Sequence, residues 1–195
     1  MQKNIATRNN SLVVLTEGAI IVAAAQALSF VPHDLGVSSI QVEYGLIPMA
    51  IYALRRGVKP GLTAGLVWGI LDLILKGFSS GGFLNPLQGL VEYPLAFAAV
   101  GLVGLGSVQV KNRIQSGKSP LGLIILYSAL GFLVKYFLHF LAGGIYWGAY
   151  APKTMNPWIY SLVINGGSFI ANMIMLLVLL VVLNRVLKRF IMVKE

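Results

Sequence analysis

Long apolar runs separated by short polar breaks set the pattern of this chain. They fall at 12–31, 42–54, 60–76, 86–108, 120–148 and 158–184. A bilayer core ~30 Å thick takes about 20 apolar residues of helix, so the pattern predicts six membrane-spanning helices. The second run is short and must start deeper or lie tilted. The fifth is long and leaves the membrane near Tyr146. Small residues line one face of two of these helices: Ala19, Ala23 and Ala27 on the first, Gly61, Gly65 and Gly69 on the third. Such spacing lets helix backbones approach closely in lipid, either inside one chain or against a partner subunit.

The basic residues orient the spans. Twelve of the 15 Lys and Arg residues fall on one side of a six-span arrangement. They are Lys3 and Arg8 before the first span, Arg55, Arg56 and Lys59 in one loop, Lys111, Arg113 and Lys118 in another, and Arg185, Lys188, Arg189 and Lys194 after the last. Only Lys76 and Lys153 fall opposite, and Lys135 lies within a span. The positive-inside rule then places both termini in the cytoplasm. That distribution also accounts for the formal charge of +9 without nucleic acid.

Composition agrees: 57% hydrophobic and 11% charged residues describe an all-α integral membrane protein. No stretch is left for a soluble domain, so 1–195 reads as one transmembrane domain, with 111–119 the nearest thing to a linker. The first run exceeds the 7–15-residue core of a secretory signal. Val31-Pro32-His33-Asp34 offers no small-x-small cleavage site, so the first span is expected to be retained. The absence of cysteine excludes disulfides and thiolate metal sites without deciding the compartment.

Against this background a few polar residues stand out. Lys135, His139, Gly143 and Trp147 recur every fourth position, along one stripe of the fifth helix. Charged groups at membrane depth are costly and point to a functional site. At 1.5 Å per residue, Glu92 and Tyr93 lie about 9 Å below the outer surface and Lys135 about 8 Å below it. On the same count Tyr160 is at the rim of the sixth span and Asn165 about 10 Å down. Glu92, Tyr93, Lys135, His139, Tyr160 and Asn165 therefore share the outer third of the membrane. Each has a plainer explanation: a structural Glu92–Lys135 ion pair, a satisfied core histidine, an interfacial belt for Trp147, Trp158 and Tyr160, an interhelical bond for Asn165. Together they predict one pocket for a small polar ligand. Glu17 reads as reaching the cytoplasmic interface, Glu43 as a solvated residue at the outer rim, and Asp72 as paired with Lys76 one turn on.

Catalytic patterns are missing. Ser116-Gly117-Lys118-Ser119 ends like a phosphate-binding loop, but Asn112 stands where the first glycine is required. Gly104-Leu105-Gly106 lacks a third glycine, and no metal set, nucleophile elbow or paired carboxylate site is present. The chain is expected not to be an enzyme and to carry no cofactor. Active transport would draw its energy from another protein.

Three segments resemble a known family. Val91-Glu92-Tyr93-Pro94, Lys135-Tyr136-x-x-His139-Phe140-x-Ala142-Gly143-x-x-x-Trp147 and Tyr160-Ser161-Leu162-x-x-Asn165-Gly166 are similar to the thiamin-specific S-components of energy-coupling factor (ECF) transporters. Leu15-Thr16-Glu17 with Ala19 and Ala23, and Leu54-Arg55-Arg56-Gly57, extend the likeness over nearly the whole chain.

The resemblance implies a six-helix subunit in a prokaryotic cell membrane that binds thiamin near the outer face. It implies energising by a transmembrane coupling protein with two ATPases, and toppling in the membrane after docking. It assigns ligand contacts to Glu92, Tyr93, Lys135, His139, Gly143, Trp147, Tyr160 and Asn165, and partner docking to Ala19, Ala23 and Ala27. Lys135, beside a cationic ligand, is then expected to bond Glu92 or a ring nitrogen of the ligand. The family's first outer loop commonly closes with a tryptophan; Ser39 falls at that position here, and Phe83 is a candidate substitute. The alternatives are an S-component for riboflavin or hydroxymethylpyrimidine, an intramembrane enzyme using Glu92 and His139, or a channel.

Overall fold

The computed structural model describes residues 2–32 and 40–192, with side chains of 2–10, 184 and 185 left aside. Six helices follow in order: α1 (Gln2–Leu28), α2 (Leu46–Arg56), α3 (Val58–Gly77), α4 (Pro86–Gln115), α5 (Leu121–Ile145) and α6 (Pro157–Ile191). All but α2 contain a stretch long and apolar enough to cross a bilayer. The six-span expectation thus meets five full-length helices and one of 11 residues, about 16 Å long. The short helix starts deep because residues 41–43 ahead of it are not helical. The fourth helix runs on to Gln115, so the expected 111–119 loop contracts to the turn at Gly117, whose φ is 69°.

Local chemistry sets the helix starts. Asn85 and Asn156 cap α4 and α6 by accepting from the amides of Gln88 and Trp158, each with proline in the first turn. Within α4, Pro94 cannot donate to the preceding turn, and Val91–Leu95 widen into a π-helical turn. Farther along, Val100–Gly106 tighten into 3₁₀ geometry.

This irregular helix packs on the glycine ladder of α3. A methyl group at Gly61 would meet Gly101 Cα at 3.0 Å, and one at Gly69 would meet Pro94 Cα at 2.9 Å. At Gly65 it would fall on the Phe97 carbonyl. The glycine ladder is therefore internal packing. The alanine ladder is not: Ala19, Ala23 and Ala27 are exposed, while Gly18, Val22, Ala25 and Gln26 turn inward.

At the end of the bundle carrying Arg55 and Arg56, one carboxylate gathers two cations. Glu17 pairs with Arg55 at 2.9 Å and Arg56 at 2.6 Å, and Arg55 also donates to the carbonyls of Phe190 and Met192. Lys111 reaches the Arg55 carbonyl at 2.6 Å and Ser107 that of Leu54 at 2.6 Å. Four helices are tied together there. The opposite end opens into a cavity.

Candidate substrate-binding site

The cavity has a volume of about 740 Å³ and draws its walls from α3, α4, α5, α6 and residues 41–45. Of the eight residues expected in a pocket, Glu92, Tyr93, His139, Gly143, Trp147, Tyr160 and Asn165 line it. Lys135 does not: it is fully buried beneath the floor.

The widened turn at Val91–Leu95 presents Glu92 to the cavity. Two neighbours hold it. The Trp147 indole N–H donates to both carboxylate oxygens at 3.0 and 2.9 Å. Gln88, one turn earlier and fully buried, donates to Glu92 through its amide nitrogen, which also reaches the Gly82 carbonyl at 3.0 Å. The other end of that amide accepts from Leu84 N at 2.9 Å. A single glutamine thus ties the 82–84 connection to the carboxylate.

The expected Glu92–Lys135 contact is not formed. Lys135 Nζ donates instead to Glu43 Oε1 at 2.7 Å. A second donor points at His139 Nε2, 3.0 Å away. Since an ammonium can only donate, that nitrogen accepts and the ring proton sits on Nδ1. Nζ also lies 4.6 Å from the ring centroids of Phe97 and Tyr136. Glu43, expected at a solvated rim, is a cavity-floor residue because α2 begins below it. Its second oxygen, Oε2, is buried without a hydrogen-bond partner, as is Nε1 of the neighbouring Trp68.

On the α3 side, Asp72 pairs with Lys76 at 2.9 Å, as the sequence suggested, and accepts from Gln26 of α1 at 3.2 Å. Both members of the pair line the cavity. The described ion pairs therefore match Glu43 with Lys135 and Asp72 with Lys76. They leave Glu92 as the one cavity carboxylate with no cationic partner among the described residues.

The remaining wall is set by close packing of α5 on α6. A side chain at Gly143 would strike Ser161, whose hydroxyl donates to the Phe140 carbonyl at 2.8 Å. Asn165 donates to the Ser161 carbonyl on its own helix at 3.0 Å, so it does not cross-link helices. Trp158 packs on Phe140 outside the cavity, with ring centroids 5.5 Å apart. Phe83, the candidate lid substitute, stacks edge-on against Phe78 and does not join the wall. Ser39 lies outside the described residues.

Sequence reasoning missed Glu43, Trp68 and Gln88. Gln88 carried a usable signal, four positions before Glu92 on the same helical face. Glu43 carried none, because the unwound stretch ahead of α2 defeats depth counting.

Apolar helices around a cavity with polar walls at one end are the build of a multi-pass membrane protein. The sequence comparisons specify it further. Residues 15–192 match the family described as thiamine transporter protein, and the chain belongs to that family. It is 48% identical to the thiamine transporter ThiT of Lacticaseibacillus paracasei, over 96% of this chain and 94% of that one. Identity to ThiT of Bacillus subtilis is 34%, over 93% and 97%. The solved structure of ThiT from Listeria monocytogenes superposes with a TM-score of 0.82 at 33% identity, covering 93% of this chain and 98% of that one.

Proposed function

We propose that this protein is the thiamin-binding subunit of an ECF-type importer, and that Glu92 is the counter-charge for the thiazolium ring. The observation that carries the reading is the unpaired carboxylate. With Lys135 and Lys76 each matched to its own acid, the described residues leave the cavity one unmatched carboxylate, which suits a monovalent organic cation. Lys135 then no longer conflicts with a cationic ligand, because Glu43 has already balanced it. Trp147, fixed through its N–H to Glu92, presents its indole face for stacking or cation–π contact. The Asn165 side-chain carbonyl, left over when its amide bonds Ser161, can accept from the aminopyrimidine. Tyr93, His139 and Tyr160 complete the wall, and Gly143 lets α5 pack against Ser161 of α6 at the cavity edge.

On this reading all six helices embed in the membrane lipid with both termini cytoplasmic, and the cavity opens outward. The exposed Ala19–Ala23–Ala27 face receives the coupling protein, whose two ATPases supply the energy that this chain has no motif to release. The test is titration of the purified protein with thiamin and with a neutral isostere in which the thiazolium is replaced by an uncharged ring. Thiamin should quench tryptophan fluorescence saturably without ATP or partner. The isostere should bind about 30-fold more weakly or worse, since losing one member of a buried charge pair costs ~2–5 kcal/mol. Equal binding of the two, or selective binding of another vitamin, would overturn the assignment.

A further inference from the structure

Asn172 lies on α6, seven residues beyond Asn165, and takes no part in lining the cavity. It is fully buried and, among the described side chains of the helix, makes the most hydrogen-bond contacts. Its Oδ1 accepts from the Glu43 amide at 2.8 Å. Its Nδ2 is within bonding distance of three oxygens: the Gln41 carbonyl at 2.9 Å, the Tyr136 hydroxyl at 2.8 Å and the Ser168 carbonyl at 2.8 Å. One turn earlier, Ser168 Oγ accepts from the Gln41 amide at 3.1 Å.

The side chains of Ser168 and Asn172 thus bond the backbone of Gln41 and Glu43 much as a neighbouring strand would. The need for this is physical. Residues 41–43 are not helical, and unsatisfied backbone groups inside a membrane protein are tolerated only where protein or water supplies partners. The same contacts fix the direction of the Glu43 side chain, whose Oε1 holds Lys135, whose Nζ in turn contacts His139 of the cavity wall. An amide plane that bonds loop, α5 and α6 at once sets where the floor carboxylate lies.

We infer that Asn172 is a positioning residue for the ligand: by clasping Gln41–Glu43 to α6 it holds the Glu43–Lys135–His139 floor against the bound molecule and slows its escape. This rests on the thiamin reading above. The clasp acts through Glu43, so its loss and the loss of the Glu43 carboxylate should be redundant.

The experiment measures thiamin release by tryptophan fluorescence for wild type, Asn172→Leu, Glu43→Gln and the double variant. Hydrogen exchange of the segment spanning residues 40–46 is followed in ligand-free protein. Asn172→Leu should speed release about tenfold or more, the expected scale for losing several buried hydrogen bonds at once. It should speed amide exchange at 41 and 43 while α5 stays protected. The double variant should release no faster than the faster single.

Fold-changes that multiply in the double variant, or release from Asn172→Leu at the wild-type rate, overturn the inference. If Asn172→Leu does not fold, Ser168→Ala carries the test: exposed amides with faster release support it, and unchanged exchange overturns it. Wild-type protein that does not bind thiamin overturns the functional reading and this inference with it. Binding by wild type with independent effects of the variants overturns the inference alone.

Discussion

Glu43 and Glu92 are both cavity carboxylates, but their surroundings give them different jobs. Glu43 neutralises a fully buried lysine. Glu92 is held by the neutral donors of Trp147 and Gln88 and has no cationic partner among the described residues. Glu43→Gln should therefore lower the melting temperature of the empty protein, because an orphaned buried charge costs about 3–5 kcal/mol. Glu92→Gln orphans nothing and should leave the empty protein about as stable as wild type. Its cost should appear in thiamin affinity, at ~30-fold or more. Thermal melting and titration of the two purified variants check the split; matched losses in both assays for both variants would show that the two acids share one role. At this scale the sequence was informative where residues sit on long helices. Five of the six residues grouped by depth, and Gly143 and Trp147 from the stripe on the fifth helix, line one cavity. Depth counting failed for Lys135, which lies beneath the floor, and for its partner, because nothing in Gln41-Val42-Glu43 reports that the chain there runs unwound past α6.

The elements owe their arrangement to where the backbone can come close. Gly61, Gly65 and Gly69 bring α3 against α4, Gly61 and Gly69 where it departs from regular helix, and the Gly69 contact falls on Tyr93 and Pro94, next to Glu92. Packing and site geometry are thus the same contact seen from two sides. Gly65→Ala should force α3 and α4 apart and lower stability by about 1–3 kcal/mol, the usual cost of overpacking. Gly166→Ala, on α6, meets nothing within 4 Å and should be neutral, or gain up to ~1 kcal/mol from helix propensity. Thermal melting of both variants decides the matter, and equal stabilities would mean that the ladder packs loosely. The ladder itself was visible in the sequence, but its spacing alone left internal and external packing both open. Its partner was not visible, since the widened turn around Pro94 follows from tertiary packing as much as from the proline.

For the molecule as a whole, one face of α1 is left without an internal partner. Ala19, Ala23 and Ala27 are exposed along it, at the side of the helix away from α2 and α3. If that face docks the coupling protein, Ala23→Trp should abolish uptake in cells that supply the energising module while thiamin titration of the purified variant stays unchanged. An indole there blocks close approach of a partner helix, and Ala23 is not part of the cavity wall. Joint loss of both functions would show that the indole disturbs the fold instead of a docking contact; uptake at the wild-type rate would place the partner elsewhere. The basic end bears on the same question. Arg55 bonds Glu17 of α1 and the carbonyls of Phe190 and Met192, so the same side chain ties α1 to the end of α6.

The charge pairing of the cavity has an electrical consequence. Lys135 and Lys76 each face an acid of their own, and among the described residues Glu92 is the cavity carboxylate with no cationic partner. If Glu92 is the counter-charge proposed above, the empty cavity carries an unmatched anion, and a seated monovalent cation would make it a closed neutral cluster. A unit charge moved through the full membrane field feels ~2.3 kcal/mol per 100 mV. Relocation of the filled cavity across the bilayer would then be blind to membrane voltage, and only the return of the vacant form would sense it. The ligand, on this account, is the last counterion of the protein, and its arrival is what renders the site electrically silent.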